Sequence, residues 1–133
     1  MSTKTLLGAL IAAVCFWLMG FLMYAVLLGK MMAQYTTVNR PHGEEMMVHL
    51  VLGQVVFGIL AAWLWSRMSI TSFSRGLTTG AIIGFLVSLG SNLIAIATTT
   101  VWNEFTGIFY DLIALTVTWA VTGGVLGWWM GRK

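Results

Sequence analysis

Residues 76–101 read GLTTGAIIGFLVSLGSNLIAIATTTV, twenty-six residues without a charge or a proline. As a helix, at 1.5 Å per residue, this stretch reaches about 39 Å, and a hydrocarbon core of about 30 Å needs about 20 residues. It therefore reads as a membrane-crossing helix. The alternation that a barrel strand would need is missing, and a chain in lipid must satisfy its backbone internally, which leaves helices.

Three further runs extend the pattern on both sides: Thr5–Gly29, Met46–Ser66 and Gly107–Met130. None contains a proline. Most of the charge falls in the breaks, Lys30–Glu45 and Arg67–Arg75, with a very short connection at Trp102–Thr106. With 59% hydrophobic residues, 8% charged and a mean hydropathy of +0.90, the chain has too little polar surface for a soluble domain. The expectation is an all-α integral membrane four-helix bundle, with helices at 5–29, 46–66, 76–101 and 107–130. Residues 1–133 form one domain, since no linker-like stretch divides them.

The first run has features of a leader, because Lys4 precedes it and Ala12-Ala13-Val14 stands before Cys15 as in a lipoprotein cleavage site. Valine is the wrong size directly before such a cysteine, and the run continues to Gly29, longer than a signal core. It is read as a helix that stays. Cys15 is the one cysteine, which excludes an intramolecular disulfide and a cysteine metal motif.

Lys4, Arg67, Arg75, Arg132 and Lys133 fall on one side of the expected topology, and Lys30 and Arg40 on the other. Short loops rich in lysine and arginine stay in the cytoplasm, so both termini are expected there, with a bacterial inner membrane as the setting. The net charge of +3 is thereby an orientation signal, and no nucleic-acid partner is expected.

Close approach of helices in lipid needs small residues every fourth position. Gly76, Gly80 and Gly84 form one such track, and Gly123, Gly127 and Gly131 another, at the same depth. A short connection makes helices three and four antiparallel neighbours, so the tracks are expected to pack against each other within the chain. The other reading is a seam between copies or a docking face. Trp63, Trp65, Trp128 and Trp129 are expected near the inner surface and Trp102 near the outer one.

Counting depth at 1.5 Å per residue places Gln54 roughly 12 Å, Asn92 roughly 13 Å and Asp111 about 6 Å inside the outer boundary. His49 and Tyr24 share that layer. An aspartate at a helix centre costs about 2.5–3.5 kcal/mol on insertion scales, so Asp111 is expected to face the bundle or an aqueous pocket. The bland alternative places it in the interface, favoured by the dipole of its own helix. For Gln54 and Asn92 the bland alternative is interhelical hydrogen bonding.

The outer loops carry His42, Glu44, Glu45 and Glu104 as candidate recognition residues. Glu45 and His49 are four apart and share a helix face, but two ligands do not complete a zinc sphere, and the nine methionines are too scattered for a copper relay. No metal or cofactor is expected. Nucleophile elbow, Walker sequence and zinc-protease helix are all missing, so no catalytic residue is assigned and no enzyme is expected.

The run Gly20-Phe21-Leu22-Met23-Tyr24, then Leu27-Leu28-Gly29-Lys30-Met31-Met32, a polar loop, and three more helices ending in Gly123-Gly124-Val125-Leu126-Gly127 resembles the small bacterial four-helix membrane proteins grouped as domain of unknown function 1761. Members usually show Trp-Tyr where this chain has Met23-Tyr24. The resemblance implies fold and topology and no chemistry.

Two functions from different classes fit these residues. One is a non-enzymatic accessory subunit of a membrane assembly, or a homo-oligomer packed through the glycine tracks. The other is a small oligomeric carrier or channel with an outward-facing pocket around Asp111.

Overall fold

The computed structural model of the chain describes residues 2–23, 47–98 and 106–132. Among these it is all-helical: α1 Thr3–Gly20, α2 Met47–Arg67, α3 Phe73–Thr98 and α4 Thr106–Gly131. A π-helical turn at residues 21–23 continues α1. All four helices are long and apolar enough to cross a membrane, so the chain is a small multi-pass membrane protein.

Several boundaries differ from the sequence expectation for one reason: hydropathy marks where a helix leaves lipid, while caps mark where its hydrogen bonding ends. Ser2 caps α1, its hydroxyl accepting from the Thr5 N–H at 3.2 Å, so the helix starts at Thr3. Ser72 does the same for α3, accepting from the Arg75 N–H at 3.3 Å, so that helix starts at Phe73 and takes in the charged Arg75.

The chain between α2 and α3 turns back within five residues. Ile70 N–H donates to the Trp65 carbonyl at 3.0 Å and Ser69 N–H to that of Ser66 at 3.3 Å. This is the Schellman arrangement, and it holds Ser69 at φ 53°, a left-handed conformation that glycine usually supplies. Ile70 closes the motif by burying its side chain.

α4 is the most enclosed helix. It packs along α3, against α1 and more sparingly against α2, while α1 and α2 pair with each other. Thus α3 meets the rest of the bundle chiefly through α4. Lys4, Arg67, Arg75 and Arg132 lie at the end of the bundle where α1 starts and α4 ends, called here the basic end.

The α3–α4 seam is antiparallel and regular. Gly76, Gly80, Gly84, Ser88 and Asn92, every fourth residue, form the buried stripe of α3. A Cβ on Gly76 would collide with the Gly123 carbonyl, one on Gly80 with that of Trp119, and one on Gly84 would come 2.7 Å from that of Leu115. Gly127 and Gly131 are crowded likewise by the carbonyls of Ser72 and Thr71. The two glycine tracks are therefore filled from within the chain. This corrects the reading of them as a seam between copies.

A second close approach joins α1 and α2, where a Cβ on Gly58 would stand 2.8 Å from the Ala13 nitrogen. Between the pairs lies a core of Ala9, Ala12, Phe16, Ala61, Ala62, Trp65, Trp119 and Leu126. Phe16 meets Trp119 edge-on, with ring centroids 4.8 Å apart. Trp65 stands in the last turn of α2, two residues before Arg67. It is fully buried, and its indole N–H donates to the Gly123 carbonyl at 2.9 Å, tying α2 to α4. Trp63 and Trp128 do lie exposed at the basic end, each under an arginine, Arg67 at 5.7 Å and Arg132 at 5.0 Å.

Candidate functional site

The polar cluster of the bundle is built where the glycine stripe of α3 changes character. Continuing the step of four past Gly84 brings Ser88 and then Asn92 to the same face, so both point at α4. Asp111, the one acidic side chain among the described residues, stands opposite them about a turn and a half inside α4.

Asn92 Nδ2 donates to Asp111 Oδ2 at 2.7 Å, and Ser88 Oγ donates to the same oxygen at 3.3 Å. The Asn92 amide also reaches the Ser88 carbonyl at 2.8 Å and the Ser88 hydroxyl at 3.2 Å. Ser88 and Asn92 are buried and Asp111 is half-buried. Hydrogen bonds to a charged group contribute about 1.5–3 kcal/mol each, against about 2.5–3.5 kcal/mol for placing an aspartate in the span. The short bond from Asn92 offsets part of that cost and the longer contact from Ser88 less, so the Asp111 carboxyl group is held between two helices. Chemically the arrangement is a clamp across the α3–α4 seam, in which two donors of α3 hold one carboxyl oxygen of α4.

The residues grouped by depth do not all meet. Asn92 and Asp111 do. Gln54 instead lies opposite α1, where a Cβ on Gly20 would stand 3.9 Å from its amide nitrogen, and it has no hydrogen-bond partner among the described residues. His49 is exposed near the start of α2. Depth is one coordinate of a residue in a bundle and helix face is the other, and only the second separates Gln54 from Asp111. Tyr24, His42, Glu44, Glu45 and Glu104 lie outside the described residues, and with Glu45 goes the pairing with His49.

Ser88 was missed in the sequence, although its position four residues beyond Gly84 and four before Asn92 was a usable signal. The threonines of α4 were missed as well. Thr118 donates to the Ala114 carbonyl at 2.7 Å, while the buried hydroxyls of Thr116 and Thr122 have no partner among the described residues.

Comparison with family models, with curated proteins and with solved structures returns no match.

Proposed function

We propose that the chain is a non-enzymatic accessory subunit that packs against other proteins in the membrane, with both termini in the cytoplasm. The observation that carries this reading is the half of α2 away from the basic end. Residues 48–52 are all exposed, and at about 100° per residue five consecutive positions take in the whole circumference of a helix. Lipid suits Val48, Leu50, Val51 and Leu52. Gln54 is not part of this open stretch: it is half-buried and turned toward α1 beside Gly20. A protein partner would cover this part of α2, where no described helix covers any side.

Self-association belongs to the same proposal, and it would use α2 because the glycine tracks are already filled. Membership in the domain of unknown function 1761 family is also part of it, and adds topology alone. The bacterial inner membrane and the cytoplasmic basic end rest on the distribution of lysine and arginine.

Purification from the native membrane in a mild detergent, followed by native mass spectrometry, tests the proposal. A second protein or a second copy in fixed stoichiometry is the expected result. A chain that is monomeric under every gentle condition overturns it.

The Ser88–Asn92–Asp111 clamp favours a second reading, a small carrier or channel in which Asp111 holds a proton or cation. Ion flux into liposomes that is the same for the wild type and Asp111→Asn sinks that reading.

A further inference from the structure

At the basic end a cleft of about 360 Å³ opens between the start of α1 and the end of α4, lined by Thr3, Lys4, Leu7, Trp129 and Arg132. Its chemistry is divided. Lys4 and Arg132 bring two cations, from opposite ends of the sequence, to one cleft, and Leu7 and Trp129 supply an apolar wall. The Trp129 indole N–H is already committed to the Lys4 carbonyl at 3.0 Å, which holds the two helix ends together and leaves the ring as apolar surface.

The first turn of α1 adds to the positive side. Ser2 takes the Thr5 N–H with its hydroxyl and the Leu6 N–H with its carbonyl, so the N–H groups of Thr3 and Lys4 are left without an intrahelical acceptor. A helix start carries about half a positive charge. No acidic side chain among the described residues lies at this end to neutralise it. The Arg132 guanidinium stands over the Trp128 ring, 5.0 Å from its centroid, a contact that an anion in the cleft would have to draw it from.

Two cations, a helix start and an apolar wall, at the depth where a membrane helix meets water, match a lipid with a phosphate head and acyl chains. Basic pockets between transmembrane helices are known to favour anionic lipid headgroups. We infer that the α1–α4 cleft binds one anionic phospholipid, its phosphate between Lys4 and Arg132 and its glycerol and upper chain against Leu7 and Trp129. The site is independent of the Asp111 cluster, which lies more than three helical turns away along α4.

Native mass spectrometry of the full chain in mild detergent, titrated with phosphatidylglycerol or phosphatidylcholine, provides the test. One phosphatidylglycerol is expected to bind in preference to phosphatidylcholine. A basic residue near a membrane surface contributes an attraction to anionic lipid that corresponds to about a fivefold change in affinity. Lys4→Gln and Arg132→Gln should each weaken binding about fivefold, and the double variant about twenty-five-fold. Arg75→Gln removes a cation of the same end that instead donates to the Ser69 carbonyl, so binding should be unchanged. Equal binding of the two lipids overturns the inference, as does an Arg75→Gln loss as large as that of Lys4→Gln, which would mark diffuse surface charge. Inorganic phosphate at millimolar concentration should not displace the lipid. If it does, the cleft is a phosphate site and the lipid assignment fails.

Discussion

Gly80 of α3 and Gly53 of α2 are the same residue in the same kind of helix, yet their surroundings are opposite. A Cβ on Gly80 would run into the Trp119 carbonyl, while one on Gly53 would meet nothing among the described residues within 4 Å. The first glycine is there so that two backbones can touch. The second leaves a helix surface open. A glycine in a membrane helix therefore has no fixed meaning, and the difference here follows from a partner that fills one face and leaves the other.

Substituting the two glycines should separate the regions most sharply. Gly80→Leu, placed where α4 backbone already lies, is expected to cost more than about 4 kcal/mol and to open the α3–α4 seam. Loss of protease resistance in detergent would report it, and a stable variant would refute the seam as described. Trp65→Ala comes next, at about 3–5 kcal/mol, since it empties a fully buried site and removes the donor to Gly123. Thermal denaturation followed by circular dichroism measures it.

Asn92→Ala tests the polar end of the same seam. It takes from Asp111 the donor at 2.7 Å and should cost about 1–3 kcal/mol, read as a lower unfolding midpoint in a denaturing-detergent titration. An unchanged midpoint would mean that the clamp adds nothing to stability. The smallest effect belongs to the open face. Gly53→Ala should stabilise α2 by up to about 1 kcal/mol through helix propensity, a shift visible by the same titration. A loss instead would mean that another surface does approach Gly53, which would strengthen the case for a partner on α2.

The long apolar runs made four helices legible without coordinates, and the two glycine tracks made the α3–α4 contact legible as well, because a short connection leaves antiparallel helices little choice of neighbour. Asn92 and Asp111 were recognisable as polar residues of one layer. Their hydrogen bond was not, nor was the share of Ser88 in it. The exposed sides of α2 were illegible for a related reason: its apolar residues read the same whether they face lipid or protein, so composition alone cannot say which side of a membrane helix is covered.

By itself the sequence determined where four helices long and apolar enough to cross a membrane lie, which helix faces carry small residues, and which end is basic. These follow from helix rise, bilayer thickness and residue spacing, all of them local. Only the tertiary structure decided that Trp65 belongs to the core, that Gln54 and Asp111 part company, and that Lys4 and Arg132 share one cleft. Each of these depends on how helices rotate and pair, which is settled by packing between residues distant in the chain.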